Sequence, residues 1–217
     1  MGKTKIDWPG LDRTWNPITG CPGDPETGKP CSYCVVRKRV WHRIKHLYGN
    51  VSYDLITEHP KRFYEPMKIK KPQTFFCGFY SDIGYWNYKQ IQTILNIVQK
   101  CEQHKFMFLS KNPLAYRGFM WPWNCRCGFT MTKCEKSEDA LKYYSFIAQT
   151  KARRFLSIEP LLGCFNLKLN DTNIEQCIVG AQTGAGAVAP KKEWIESVKK
   201  SIPANKLYWK KNIQEYL

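Results

Sequence analysis

Three cysteines, Cys21, Cys31 and Cys34, lie close together near the start of the chain. Thiolates are ligands of zinc and of iron-sulfur clusters, so this spacing predicts one inorganic centre. A four-iron cluster normally takes four thiolates, and a set of three leaves one iron open to an exogenous ligand, as an enzyme needs. Zinc would need a fourth ligand, such as His42 or His46, because structural zinc sites are closed and tetrahedral. Three buried cysteines without a ligand are the remaining interpretation.

The elements around these cysteines are predicted to be a loop and a helix. Residues 22–30 are rich in Pro and Gly, which is typical of a turn-rich loop with no core of its own. From Tyr33 to Tyr48 apolar residues recur at helical spacing, and Gly49-Asn50 is a stop signal. The last two cysteines therefore lie where a polar loop enters a helix, which favours a liganded centre over buried, unliganded thiols.

Short apolar runs alternate with helical patterns along the rest of the chain. Strands are predicted at 15–20, 74–80, 105–110, 124–131, 154–158, 176–179 and 206–209, and helices after Asn87, from Ser137 and from Pro190. The predicted inward face of the second helix consists of Leu141, Tyr144, Ile147 and Ala148. This alternation is typical of parallel βαβ units, and six or seven of them can nearly close into a barrel. We predict an α/β fold in which residues 1–217 form a single domain, a partial (βα)6-type TIM-like barrel with mainly parallel strands.

The composition is that of a basic protein. The 217 residues carry a formal net charge of +16, and residues 37–71 hold ten basic and three acidic side chains. Such a charge attracts polyanions or anionic small molecules, although basic proteins without such a ligand also exist. No apolar stretch is long enough for a membrane span, and the first residues lack the apolar region of a secretory signal. We therefore expect a cytoplasmic protein without a membrane partner, in which the close-set cysteines bind metal and do not form disulfides.

Polar residues follow the predicted strands at their carboxyl ends, where parallel barrels and open α/β sheets bind ligands. The cysteine loop follows the first strand and belongs to the same rim. The candidates are Ser81, Asp82, Ser110, Lys111, Thr130, Thr132, Glu159, Gln182, Thr183, Lys210 and Lys211. The sequence therefore predicts one site at this end of the sheet.

Several motifs occur in a fixed order along the chain. They are Thr14-Trp-Asn-Pro-Ile-Thr-Gly-Cys21 with Cys31-Ser-Tyr-Cys34, His59-Pro60, Glu65-Pro66, Ser81-Asp82, Ser110-Lys-Asn-Pro113, Ser157-Ile-Glu-Pro-Leu-Leu-Gly163 and Ile178-Val-Gly-Ala-Gln-Thr-Gly184. With this set the chain resembles a phage- and prophage-associated family of three-cysteine proteins of unassigned reaction. That family is similar to an outlying branch of the radical S-adenosylmethionine (radical SAM) superfamily.

The resemblance implies a [4Fe-4S] cluster on the three cysteines and S-adenosylmethionine bound through its amino and carboxylate groups to the open iron. It implies a reducing electron donor, cleavage to methionine and a 5′-deoxyadenosyl radical, and hydrogen abstraction from a substrate. The basic charge favours an anionic substrate such as a nucleotide or nucleic acid. The expected cofactor contacts are Tyr33, near the adenine, with Ser81, Asp82, Lys111, Glu159, Gln182 and Thr183. The alternative is a non-catalytic iron-sulfur or zinc protein that binds nucleic acid.

The chain departs from the family pattern in three places. The loop between the first two cysteines is longer than expected, Val35 stands where the family usually has Tyr, and Gln182 replaces a glutamate of a Gly-Gly-Glu-Ser-Gly signature. Gln182 is therefore predicted to be a contact and not an acid or base.

A second group of cysteines consists of Cys125, Cys127 and Cys134. These thiols could bind an auxiliary cluster. We favour a core role instead, because Cys125 and Cys127 have the same parity in a predicted buried strand and cysteine packs well as a small apolar residue.

Overall fold

The computed structural model describes residues 3–25, 27–167, 169 and 174–217. The protein is a single α/β domain whose main sheet is a curled half-barrel of seven parallel strands. These strands are β1 (Arg13–Trp15), β4 (Thr74–Cys77), β5 (Lys105–Ser110), β6 (Cys125–Thr130), β7 (Arg153–Ile158), β8 (Ile174–Val179) and β9 (Leu207–Trp209), adjacent in this order. A separate antiparallel pair, β2 (Ile18–Thr19) and β3 (Thr57–Glu58), lies in the connection from β1 to β4.

The longer helices are α3 (Tyr88–Gln99), α4 (Ser137–Gln149) and α5 (Lys192–Ser201), in the crossovers β4–β5, β6–β7 and β8–β9. Asn87 and Gln90 form a capping box at the start of α3, which confirms the predicted helix start. The helix predicted after the cysteines is irregular. It consists of a π-helical turn (Val36–Val40), α1 (Trp41–Ile44) and a 3-10 turn (Lys45–Tyr48), and it ends at Gly49 with φ 77°. A further short helix, α2 (Pro60–Phe63), precedes β4.

The crossover from β5 to β6, residues 111–124, contains no helix. Its Tyr116 is fully buried, and its hydroxyl lies 3.1 Å from Phe108 O and 2.6 Å from Gly128 O on the two flanking strands. A single buried tyrosine thus anchors this connection. The regular (βα)6 repeat is not confirmed at this crossover.

The N-terminal segment, residues 3–12, fills the concave face of the half-barrel. The Trp8 ring stacks on Phe76 at 4.6 Å between centroids and meets Phe155 edge-on at 5.5 Å. Met107 and Ile178 complete this apolar cluster. A larger core lies on the other side of the sheet, against the helices. The bore below the carboxyl ends of the strands is therefore filled with side chains.

The inward face of α4 agrees with the predicted one only at Ile147, which is partly buried and packs against the core. Tyr143 and Phe146 are buried, whereas the predicted Leu141 and Tyr144 are 61% and 51% exposed and Ala148 is also exposed. Apolar residues occupy two overlapping stripes of this helix, so periodicity alone selects the wrong one. In the described part of the chain, none of the helices is both long and apolar enough to cross a membrane.

Candidate functional site

A cavity of about 510 Å³ opens at the carboxyl ends of the strands, above the Trp8 cluster. The predicted site residues that line it are Cys21, Cys31, Tyr33, Cys34, Ser81, Asp82, Lys111, Glu159, Gln182 and Thr183. Thr130, Lys210 and Lys211 of the predicted rim also line it, but Ser110 and Thr132 do not. Its volume suits one small ligand.

The loop between the first two cysteines is folded back on itself. The Asp24 N–H donates to Lys29 O at 2.8 Å, and the Gly28 N–H donates to Asp24 O at 2.8 Å. The backbone N–H of Cys21 donates to Tyr53 O at 2.7 Å, which ties the first cysteine to the segment after the irregular helix. The loop therefore turns back toward its start. Cys21 and Cys31, at its two ends, both line the cavity although the loop is long.

The three thiols are free and half-buried. Burial first, and then the negative charge of Asp82, raises the pKa of Cys21 to about 12, against the opposing charge of Lys111. Burial also raises the pKa of Cys31, and Lys111 again opposes the shift. Both thiols are therefore protonated at neutral pH.

The donor types fit an iron-sulfur cluster, because three thiols share one cavity wall. Among the described residues, however, no three His, Cys, Asp or Glu side chains converge in a group that could hold one metal ion. By donor type the three thiols suit an iron-sulfur cluster or, with a fourth ligand, a zinc ion.

Tyr33 and Lys111 lie on the cysteine side of the cavity. The Lys111 ammonium is 5.8 Å from the centroid of the Tyr33 ring. Burial first, and then the neighbouring Cys31, raises the pKa of the Tyr33 hydroxyl, so this side chain remains a neutral phenol. Lys111 has no ion pair among the described residues and leaves a cation facing the cavity.

The two carboxylates of the predicted site are bound by protein groups. Asp82 Oδ1 accepts from Gly84 N (2.8 Å) and Ser110 Oγ (2.5 Å), and Oδ2 accepts from Lys111 N (2.9 Å). Glu159 Oε2 accepts from Trp8 Nε1 (2.7 Å) and Ser157 Oγ (3.1 Å). Its Oε1 accepts from Lys210 Nζ. A carboxylate has about four acceptor positions, so each retains about one for a ligand.

The opposite wall comes from the loop after β8 and from the chain after β9. Gln182 Oε1 accepts from Val188 N at 3.3 Å, and Thr183 is exposed at the mouth. Asn212 Nδ2 donates to Ala181 O at 2.7 Å, while its buried Oδ1 has no partner among the described residues. Thr130 Oγ1, in the same cavity, is also buried and unpartnered in that part of the chain.

Sequence reasoning missed Asn212, Tyr53 and Asp7 as cavity residues. None of the three follows a predicted strand directly or belongs to a motif. Asp7 reaches the cavity because residues 3–12 cross the concave face, a placement that no local pattern indicates.

The second group of cysteines lies in the core. Cys125, Cys127 and Cys134 are 1%, 0% and 2% exposed, which confirms the core interpretation. Burial raises the pKa of Cys127 well above its usual value. His42 and His46 are exposed on the surface of the irregular helix.

Comparison with curated proteins and with solved structures gives no match. The family described as "Protein of unknown function (DUF5131)" matches residues 3–215, and the chain belongs to that family.

Proposed function

We propose that the protein is a radical SAM-type enzyme that uses a [4Fe-4S] cluster on Cys21, Cys31 and Cys34 and acts on an anionic substrate. The observation that carries this proposal is that the three thiols and the seven predicted cofactor contacts line a single cavity. The resemblance of the motifs to the radical SAM superfamily suggests the reaction, and the cavity is where we propose that it takes place. When bound and reduced, the cluster supplies the electron that cleaves S-adenosylmethionine.

The residues of this chain bind, orient and shield the cofactor. The remaining acceptor positions of Asp82 and Glu159 suit an ammonium or a ribose hydroxyl, and Lys111 suits a carboxylate. Trp8 forms an apolar floor that keeps water from entering through the bore.

The proposal extends to the finer fold and the setting. The half-barrel is then a partial (βα)6-type TIM-like barrel in which the described residues of the β5–β6 and β7–β8 crossovers contain no helix. A reducing electron donor is the required partner. All ten cysteines are free, which agrees with a reducing, cytoplasmic compartment.

Anaerobic reconstitution with iron and sulfide tests this function. We expect the wild-type protein to bind about four irons per chain. After reduction with S-adenosylmethionine present, it should release 5′-deoxyadenosine. Cys34→Ala should lose both properties. Cys164→Ala is the matched control, because Cys164 is a half-buried thiol that does not line the cavity.

Two results would contradict the proposed enzymatic function. One is a cluster whose electron paramagnetic resonance spectrum does not respond to S-adenosylmethionine, with no 5′-deoxyadenosine formed. The other is equal loss of iron in Cys34→Ala and Cys164→Ala. The first result would favour the non-catalytic iron-sulfur protein.

A further inference from the structure

The excess positive charge of residues 37–71 is not neutralised within the described structure. Of the three acids there, Asp54 pairs with Arg37 at 2.6 Å and Glu65 pairs with Arg62 at 3.4 Å. Glu58 accepts a hydrogen bond from the Gln90 side chain at 2.9 Å. The other eight basic side chains of this stretch are exposed, and none has an ion pair among the described residues.

These eight side chains form what we call the basic stripe. Four come from the irregular helix: Lys38, Arg39, Arg43 and Lys45. Four come from the chain before β4: Lys61, Lys68, Lys70 and Lys71. Unpaired like charges that are close together repel each other and lower stability, so folding does not explain their presence.

The stripe begins at the mouth of the cavity. Val35 and Val36, directly before it, line the cavity. The Arg39 guanidinium lies against Gly184 in the loop after β8, where an added Cβ would be 2.8 Å from Arg39 Nη2. Gly184 has φ +111°, so a larger residue is disfavoured there on backbone grounds as well. Arg39 therefore places a cation at the edge of the site.

From the mouth, the stripe continues to the opposite end of the sheet. The Arg62 guanidinium lies 4.3 Å from the centroid of the Tyr48 ring and donates to Leu47 O at 3.0 Å, which holds α2 against the end of the irregular helix. Lys68, Lys70 and Lys71 come directly before β4, at the amino end of that strand. The cavity lies at the carboxyl ends, so the stripe runs along the flank of the domain.

The same part of the chain carries an exposed aromatic ring. Tyr64, between Lys61 and Lys68 in the sequence, is 57% exposed. A row of cations with an exposed aromatic ring is the combination by which proteins bind single-stranded nucleic acid, through phosphate contacts and base stacking.

The cavity limits what part of a substrate can enter. Its volume of about 510 Å³ suits one small ligand, which in the proposed function is the cofactor. Below it, Trp8, Phe76 and Phe155 fill the bore. A substrate therefore reaches the site only from the mouth, and the bulk of a large substrate stays outside, where the basic stripe begins.

We propose that the substrate is a nucleic acid strand whose phosphodiester backbone follows the basic stripe and presents one nucleotide at the cavity mouth beside Arg39. This substrate assignment rests on the proposed function, whereas binding along the stripe does not. Enzymes that act on a base take it out of the stack, and a cavity of about 510 Å³ with the Arg39 cation at its edge suits that geometry.

Fluorescence anisotropy with a labelled single-stranded oligonucleotide of about 20 nucleotides, over a salt series, tests the stripe. The variant Lys68→Gln/Lys70→Gln/Lys71→Gln removes three cations far from the cavity. We expect at least tenfold weaker binding and a salt slope smaller in magnitude by about 2, since each neutralised phosphate contact contributes about 0.7. The control variant Lys100→Gln/Lys151→Gln/Lys200→Gln removes three other exposed, unpaired lysines of the described chain and should change affinity less than twofold.

Equal effects of the two triple variants would overturn the assignment, because binding would then follow net charge alone. Stripe-dependent binding to phosphatidylserine vesicles with no binding of the oligonucleotide would also overturn it, in favour of a membrane surface.

The substrate assignment is separated from the proposed function by mass spectrometry of the oligonucleotide after incubation with reduced, cluster-loaded protein. We expect a mass change that the Lys68/Lys70/Lys71 variant reduces at subsaturating oligonucleotide. If 5′-deoxyadenosine forms while the oligonucleotide is unchanged, the substrate assignment is wrong and the proposed function stands. If the oligonucleotide binds along the stripe but no 5′-deoxyadenosine forms, the proposed function is wrong, whereas nucleic acid binding along the stripe is confirmed.

Discussion

At the scale of single residues, the acidic side chains at the rim hold the cavity together. Glu159 links Trp8 of the N-terminal segment, Ser157 of β7 and Lys210 after β9. Asp7 has a similar role, because its carboxylate accepts from the Tyr208 hydroxyl at 2.7 Å and from the Lys211 N–H at 2.6 Å. Both carboxylates thus join the first residues of the chain to its last strand.

Asp7 should make stability depend on pH. Burial acts to raise the pKa of Asp7, but hydrogen bonds from Lys211 and Tyr208 and the charges of Lys210 and Lys211 outweigh it and lower the pKa. A lowered folded-state pKa gives stability that is complete above the unfolded value of about 3.9 and lost as pH falls through the folded value. In urea denaturation, the wild type should therefore exceed Asp7→Asn in unfolding free energy at pH 6, with a smaller difference at pH 3.

Tyr208→Phe supplies the control for this pH dependence. It removes one of the two hydrogen bonds, so its folded-state pKa for Asp7 should lie closer to the ordinary value. A difference between wild type and Asp7→Asn that stays constant from pH 6 to pH 3 would contradict the assignment.

At the scale of elements, the strands could be predicted because each is a short apolar run bounded by Pro, Gly, Asn or a charged residue. Strand β5 has the predicted limits, and β4 and β6 to β9 differ from the predicted limits by one to three residues at their ends. The first strand, predicted at 15–20, shares only Trp15 with β1, because Ile18–Thr19 pairs instead with β3. Helix faces were harder: the apolar residues of α4 fit two stripes, and contact with the sheet selects Tyr143 and Phe146. The sequence shows the helical periodicity of the apolar residues, but it does not show which side of the helix packs against the sheet.

The candidate site could be predicted only in part, for a related reason. The carboxyl ends of parallel strands share an edge, so the rim residues could be predicted to meet once the strands were known. The partners of Glu159 could not, because Trp8 lies 151 residues away in the chain and no periodic pattern links them. Asn212 was missed because it lies beyond the last strand, in a 3-10 turn.

Packing between β6 and β7 requires a glycine at position 128. A Cβ at Gly128 would lie 2.2 Å from the Phe155 ring, and that ring also meets Trp8 edge-on. Gly128→Ala should therefore lower the unfolding free energy by about 3 kcal/mol, since the ring has little room to move. Adding Phe155→Leu should recover a large part of that loss, as urea denaturation of both single variants and the double variant would show. Strictly additive effects would contradict direct contact between the two side chains.

At the scale of the whole molecule, residues 3–12 cover the apolar side chains that further strands would cover in a complete barrel. A half-barrel exposes its concave face, and the described chain covers that face with Trp8 packed on Phe76 and Phe155. The same segment contributes Lys5 and Asp7 to the cavity. The same segment therefore forms the floor of the candidate site and covers the concave face of the sheet. Substitutions in it should change both the cavity and the stability of the fold.

A matched pair of tryptophan substitutions tests this closure. Trp8 is 7% exposed and packs in the bore, whereas Trp123 is 71% exposed on the surface. Trp8→Ala should lower the unfolding free energy by about 3–5 kcal/mol, because it removes ring packing and the hydrogen bond to Glu159. Trp123→Ala should change the unfolding free energy by about 0.5 kcal/mol or less.

Dye binding provides a second test of the cover. If residues 3–12 cover the bore, Trp8→Ala should bind the dye 1-anilinonaphthalene-8-sulfonate, because the substitution exposes apolar side chains of the concave face. Its far-ultraviolet circular dichroism should stay near that of the wild type, because the strands of the sheet remain paired. Equal stabilities and no dye binding in the two variants would show that the half-barrel does not need this cover.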